Sequence, residues 1–403
     1  MSDRLTEGVG ALAGVISRRS ALAGGLGLAA SGLLAACARD VRPALAPAPA
    51  ITGEMVVGAN LELTGTGSTL GKLQEQALQV GAQALNTSGF AFGDTRLAMR
   101  LVVKDNGGDP ARAAEASEQL ITHDRVSAII GGTTVETAMS MITVAEQRKV
   151  PLLCLNSGDE MTIPLPQRKF VYKLGPNATD VAEVLARELQ QRQFGGAALL
   201  ASADGHGEAG ARALPRAFAS AGLALAASAR LPAGGRAYTD AVKQIVASKA
   251  KAVVVWALAP VSAAAVAALR GGGYTGKIFL DPGAGAGETL RGPNGSTVDG
   301  AFIVHPTVLG GAPMMATTTS GLAARDFVYR YIQEYGAFGG FAPYSADALN
   351  LLAVAARRGK SLDPQRLRGR LEGGAVEGIA GAYAFQPISH GGMEPDGLVL
   401  FTA

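Results

Sequence analysis

The sequence predicts an α/β protein of two layered lobes, each built on a mostly parallel sheet. Three observations predict it. Short apolar runs rich in β-branched residues alternate with longer segments of helical pattern, which implies right-handed crossovers between parallel strands. The alternation comes in two series, from about Glu54 to Gly175 and from about Asn177 to Gly300. The 403 residues are also enough for two such units, at roughly 150 residues per domain.

In the first series the apolar runs place strands at Met55–Leu61, Leu97–Lys104, Val126–Ile130, Pro151–Leu155 and Phe170–Leu174. In the second they place strands at Ala197–Ala201, Leu223–Arg230, Ala252–Trp256 and Lys277–Leu280. Helices are expected between them near 72–86, 110–123, 136–148, 179–193, 208–221, 237–248 and 261–270. Asp109-Pro110 is a helix start with proline in the first turn. Thr179 or Asp180 can cap another start, and Gly271-Gly272-Gly273 fits a helix end, where positive φ costs glycine little. Beyond Gly300 the pattern gives helices near 321–335, 343–357 and 363–371, then strand-like Ile379–Phe385 and Leu398–Phe401. No short-period repeat is present, which excludes a solenoid.

Composition removes several functions. The chain holds 36 basic and 33 acidic residues and only 5% aromatics, so it has neither the basic face nor the stacking platforms of a nucleic-acid binder. Its 54 glycines and 19 prolines stay below the ~25–30% of low-complexity chains. Two cysteines make no disulfide framework, and His123, His206, His305 and His390 stand alone, without zinc spacing. No cofactor or metal is expected. Cys154, inside the apolar run Pro151–Leu155, reads as a buried structural thiol.

The N-terminus reads as targeting. Arg18 and Arg19 precede an uncharged run from Ala21 to Ala36, the length of a signal core and short for a membrane span. Ser17-Arg18-Arg19-Ser20 resembles a twin-arginine export signal, and a general-export signal fits the same residues. Leu34-Ala35-Ala36-Cys37 resembles the bacterial lipoprotein box, with residues 1–36 as signal peptide and Cys37 as the lipidated first residue. Residues 37–53, with Pro43, Pro47 and Pro49, would form an Ala/Pro-rich tether. At roughly 3 Å per residue, its stretch from Arg39 to Thr52 would hold a body about 40 Å from a membrane.

In open parallel sheets ligands bind beyond the carboxyl ends of strands. Here those ends lead into Gly131-Gly132-Thr133-Thr134, Asn156-Ser157-Gly158, Ser202-Ala203-Asp204-Gly205-His206 and Asp281-Pro282-Gly283, while Trp256, the only tryptophan, closes another strand. Glycines let backbone N–H groups approach a ligand, and hydroxyls and amides satisfy its polar atoms. Two enzyme readings fail on spacing. Gly65-Thr-Gly-Ser-Thr-Leu-Gly71 is not G-x-G-x-x-G, and Asp105 lies too far on to serve a ribose. Asp204 and His206 have no G-x-S-x-G elbow to pair with. No catalytic residue is assigned.

The ordered set of motifs resembles the periplasmic solute-binding proteins of ATP-driven transporters, specifically the branched-chain amino-acid type. Its parts are Gly58-Ala-Asn-Leu-Glu-Leu-Thr-Gly65 with Gly71, Asp105-Asn-Gly-Gly-Asp-Pro110, Ile129-Ile-Gly-Gly132, Ala145-Glu146, Val150-Pro151, Tyr344-Ser-Ala-Asp-Ala348 and Glu377-Gly-Ile-Ala-Gly381 with Phe385. The resemblance covers nearly all of 54–403. It implies two Rossmann-like lobes, 54–175 with 302–380 and 176–301 with 381–403, joined by a three-stranded hinge near 174–177, 300–306 and 380–384. It implies a monomer that captures a small-molecule solute in a closing cleft and hands it to an inner-membrane permease and ATPase. Carried onto this sequence, the ligand-binding positions are Leu70, Thr133, Thr134, Asn156, Ser157 and Gly158 on one lobe, and His206, Trp256, Leu258, Asp281 and Gly283 on the other. Gly283 stands where amino-acid binders carry an acid for the ligand ammonium, leaving Asp281 or Glu288 to reach it. Leu70 and His206 replace tyrosines. With Trp256 and Leu258 these departures favour a solute with an apolar or aromatic body. A different role on the same fold, a ligand-free lipoprotein that regulates a cell-wall synthase or another envelope partner, would show the same loss of amino-acid contacts.

Replacing Cys37 by Ala is expected to release the chain from membranes. The check is fractionation of cells expressing each form, and persistent pelleting of the variant with membranes would remove the lipidation reading.

Overall fold

Parallel strands buried on both faces read as continuous apolar runs, and the strands of this chain follow that rule. The computed structural model describes residues 50–232, 238–286, 298–310 and 316–403. Cys37, the export signal, the tether up to residue 49 and Glu288 lie outside the described residues.

The first sheet holds β1 (Ile51–Leu61), β2 (Phe90–Phe92), β3 (Thr95–Asp105), β4 (Ala128–Gly131), β5 (Leu152–Cys154) and β6 (Val171–Lys173), in the order β2-β3-β1-β4-β5-β6. All neighbours are parallel except the β2–β3 hairpin. The second holds β7 (Gly196–Ser202), β8 (Ala224–Leu231), β9 (Ala252–Trp256), β10 (Lys277–Leu280), β11 (Phe302–Pro306) and, further along the chain, β14 (Leu398–Thr402). Its order is β14-β11-β10-β9-β7-β8, with only β14 antiparallel. Between β11 and β14 come β12 (Val376–Glu377) and β13 (Ala382–Tyr383), a small antiparallel pair.

Seven crossover helices follow the strands: α1 (Ser68–Asn86), α2 (Pro110–Thr122), α3 (Val135–Arg148), α4 (Ala178–Gln191), α5 (Gly205–Ala221), α6 (Thr239–Ala247) and α7 (Val261–Gly271). Asp109 caps α2 as expected, its carboxylate accepting from Arg112 N–H at 2.8 Å. α1 begins four residues before the expected 72 because Gly67, at φ 87°, turns the chain into it. Two later helices, Thr319–Tyr335 and Ala342–Gly359, return to the first lobe and pack on α1. Asp347, in the second of these, is fully enclosed and binds the returning chain, accepting from Ile379 N–H, from Ala380 N–H at 2.9 Å and from the Tyr383 hydroxyl at 3.1 Å. Burial pushes its carboxyl up to about 7. Cys154 is fully buried and its thiol is pushed up to about 12 by desolvation.

The structure moves two of the expected crossovers. Phe302–Pro306, which the resemblance placed in the first lobe, pairs with β10 and β14 in the second sheet, so the chain crosses after Pro306. The end of the chain stays with the first sheet longer than 380–384. Lys173 N–H donates to His390 O at 2.9 Å, Gly392 N–H donates to Lys173 O at 2.9 Å, and His390 stacks on Tyr172. The third crossover therefore lies between Gly392 and Leu398. Of the strand-like run Ile379–Phe385, only Ala382–Tyr383 pairs, because Asp347 holds the backbone just before it.

Trp256 closes β9 and is 1% exposed. The face of α5 lies on its indole at Gly210, where an added Cβ would stand 2.2 Å from Trp256 Cδ2. Gly210→Ala is expected to destabilise the second lobe by about 1–3 kcal/mol through overpacking, more than the ~1 kcal/mol that alanine gains in a helix interior. Urea unfolding measures it, and an unchanged midpoint would show that Trp256 does not fix the seat of α5.

Candidate functional site

The registers Leu61↔Asp105, Asn60↔Gly131, Gly131↔Cys154 and Cys154↔Lys173 end the first sheet's strands along one edge. Their loops therefore emerge side by side, and those of the second sheet do likewise. Together they bound a cleft of about 480 Å³. Gly65–Thr69, Gly108, Pro110 and Thr134–Glu136 line it from one lobe, and Asp204, His206 and Leu258–Val261 from the other. These positions fall at the N-terminal ends of α1, α2, α3, α5 and α7, where backbone N–H groups and the helix dipole favour negative charge.

Much of that positive character is already met by the chain. Asp109 caps α2, Thr134 caps α3 and Asp204 caps α5, Asp204 accepting from Gly207 N–H at 2.8 Å. α1 and α7 start without a side-chain cap. Beneath α3 lies Glu62, the residue after β1, with no exposed surface. Its carboxylate accepts from Thr133 N–H at 3.2 Å, from Thr134 N–H at 3.4 Å and from the Thr137 hydroxyl. Burial raises its pKa, against the pull of these donors. The Thr133 hydroxyl donates to Gln74 Oε1 at 2.7 Å. The backbone N–H groups of Thr133 and Thr134 thus hold a carboxylate of the chain itself, and the Thr134 hydroxyl pairs with that of Thr137 at 2.8 Å.

Three of the expected contact residues reach the cleft wall: Thr134, His206 and Leu258. The others lie behind it. Leu70 is fully buried in the first lobe's core. Asn156 shapes its own loop, donating to Gly132 O at 2.9 Å and accepting from Gly158 N–H at 2.9 Å. The Ser157 hydroxyl is buried with no partner among the described residues, while its carbonyl accepts from Lys173 Nζ at 3.3 Å. Trp256 lies under α5, its ring centroid 6.3 Å from that of His206. Asp281 is turned inward, accepting from Ala257 N–H at 2.9 Å, from Gly283 N–H at 2.7 Å and from His206 Nε2 at 2.8 Å. It is not free for a ligand ammonium. Gly283 is glycine because a Cβ there would stand 2.7 Å from His206 Nε2.

The sequence reading passed over Glu62, Gln74 and Glu136. Their one signal is place: Glu62 directly follows a strand end, and Glu136 sits in the first turn of α3. Glu136 also joins the lobes, its Oε1 accepting from Gly205 N–H at 2.8 Å, and Arg212 Nη2 meets Glu160 Oε1 at 2.9 Å nearby. Gly205 is so close to α3 that a Cβ would lie 2.5 Å from Val135 Cβ. Among the described residues no cluster of three His, Cys, Asp or Glu side chains could hold a metal ion, and no helix is long and apolar enough to cross a membrane.

A family model for periplasmic binding protein matches residues 54–398. No curated protein matches the chain. Solved structures share the fold at low identity. An extracellular ligand-binding receptor from Rhodopseudomonas palustris HaA2 aligns with a TM-score of 0.77 at 21% identity, over 87% of this chain and 97% of its own. A leucine-binding protein from Thermotoga maritima aligns with 0.73 at 19%, over 87% and 95%. A solute-binding protein of an ABC transporter from Rhodopseudomonas palustris BisB5, solved with 3,4-dihydroxybenzoic acid, aligns with 0.70 at 16%, over 84% and 90%.

Desolvation pulls the His206 imidazole down, but the Asp281 carboxylate, with Asp204 and Glu136 farther away, raises it on balance above its ordinary 6.5. A raised imidazole stabilises the fold below pH 6.5, and that contribution is lost as pH rises through the folded value. His206→Gln is expected to flatten the decline of melting temperature with pH above 6.5, read by thermal unfolding between about pH 6 and 9. Equal slopes in the two proteins would mean that the pair carries no charge.

Proposed function

Because the chain belongs to the periplasmic binding protein family, we propose that it captures a small organic solute between its lobes and delivers it to an ATP-driven importer in the inner membrane. The cleft of about 480 Å³, walled by loops of both lobes, carries this reading. A solute that touches both walls stabilises the joined arrangement over the open one, and the importer then reads the joined shape. The chain makes and breaks no bond; ATP hydrolysis belongs to the partners. It acts as an exported monomer, held at the membrane by lipid on Cys37.

The wall defines what fits. Val135, Leu258, Pro260 and Val261 offer apolar surface, Glu136 and Asp204 offer acceptors, and the uncapped starts of α1 and α7 suit an anionic end. An amino-acid-like or hydroxylated aromatic carboxylate answers all three. The solved relatives include a leucine-binding protein and a complex with 3,4-dihydroxybenzoic acid, both within this class.

One observation favours the second reading, a ligand-free regulator of an envelope partner. Glu62 and Asp281 already satisfy the polar groups expected to face a solute. The two readings separate by experiment. Native mass spectrometry of the purified protein is expected to find a co-purifying small molecule. Amino acids or hydroxybenzoates are expected to raise the melting temperature through preferential binding to the folded state. Leu258→Arg is expected to weaken that binding at least about tenfold, a loss of roughly 1.4 kcal/mol, measured against the variant's own ligand-free melting temperature. No bound mass and no thermal response across the panel would overturn the transport reading in favour of the regulator.

A further inference from the structure

Lys173 ends β6, and its side chain has no exposed surface. A lysine is almost never buried to this degree unless paired. Its ammonium donates to Asp159 Oδ1 at 3.0 Å and to Ser157 O at 3.3 Å. Burial pushes its pKa down, and Asp159 opposes the shift. If this position needed only packing, an apolar side chain of similar length would fill it without the desolvation penalty of a charge.

The partners explain the charge. Ser157 belongs to the loop behind the cleft, and Asp159 begins the short helical turn that follows it. Asp159 also reaches the other lobe. Its Oδ1 accepts from Ala178 N–H at 2.9 Å and its Oδ2 from Thr179 N–H at 3.2 Å, which caps the first turn of α4. α4 packs on α5 and β14 of the second lobe. Between Lys173 and α4 lies the first crossover, only Leu174 to Asn177. The third crossover is tied to the same point, since the backbone of Lys173 bonds His390 and Gly392, and a Cβ on Gly391 would stand 3.0 Å from Asn177 Oδ1.

We propose that Lys173 is a positioning residue that couples the Asn156–Gly158 loop to the angle between the lobes, acting through Asp159 and the start of α4. A shift of the Ser157 carbonyl moves the ammonium, the ammonium moves the Asp159 carboxylate, and the carboxylate tilts α4. The proposal rests on the reading of the cleft as one that opens and closes.

The test compares wild type with Lys173→Met, Asp159→Asn and the double variant, without any solute. Spin labels on cysteines introduced at the exposed positions Gln147 of α3 and Ser220 of α5 report the distance between lobes by pulsed electron resonance, and thermal unfolding runs in parallel. Asp159→Asn leaves the Lys173 ammonium buried without its counter-charge, so its melting temperature is expected to fall, whereas Lys173→Met leaves Asp159 partly exposed and bonded to α4 and is expected to fall less. The double variant removes the buried ammonium and is expected to recover much of the loss seen in Asp159→Asn. Its distance distribution is nevertheless expected to stay broadened or displaced, because an amide at 159 can accept from only one of the two α4 N–H groups and Ser157 O has lost its donor. A wild-type distribution in the folded double variant would overturn the proposal and reduce the pair to a stabilising contact. If the single variants fail to fold, the double variant decides alone. Because no solute is present, the outcome is independent of whether the solute panel shows binding.

Discussion

Parallel pairing in register is the constraint on which the rest of this molecule depends. A parallel strand needs a crossover to return, so each strand ends on the same edge as its neighbours and each loop begins there. With Leu61 opposite Asp105, Asn60 opposite Gly131 and Cys154 opposite Lys173, the first sheet delivers its loops as one row. The second sheet does the same, and the two rows face each other. The cleft therefore follows from backbone hydrogen bonding before any side chain is chosen. The side chains decide only what the row of helix starts can hold.

What they hold first is each other. Helix starts attract anions, and this chain meets much of that attraction from within, with Asp109, Glu62, Asp204 and Asp281 each buried in or bonded to a loop end. An uncompensated carboxylate in such a place would be costly, but one accepting two or three N–H bonds fixes the loop's shape. The wall left for a guest is consequently drier and less polar than the residue types in the loops indicate. Thr134, His206 and Leu258 face it, while Asn156, Asp281 and Gly283 hold its frame.

The layered α/β architecture was legible because its cause is local. Apolar runs such as Ala252–Trp256 and helix starts such as Asp109-Pro110 declare themselves within a few residues. Partnership does not. Phe302–Pro306 reads as a strand anywhere, and only its pairing with β10 and β14 assigns it to the second lobe. The three-residue β2 is too short to show a period and exists through its hairpin with β3. At the cleft, sequence indicated the right loops but not which atoms face inward. A glutamate after a strand reads as solvated, and nothing near Glu62 in sequence announces the three threonines more than seventy residues away that enclose it. Trp256 and Leu70 read equally well as wall or core, and the distinction rests on Gly210 and on the packing of α1.

The meeting of α3 and α5 at Gly205 has one more consequence. At this meeting the chain offers a hydrogen atom in place of a side chain, and a single methyl would collide with Val135. Such a group would act as a wedge, pushing α3 from α5 by its own width and parting Glu136 from the amide it grips. The smallest residue in the alphabet thus sets how closely α3 and α5 can approach.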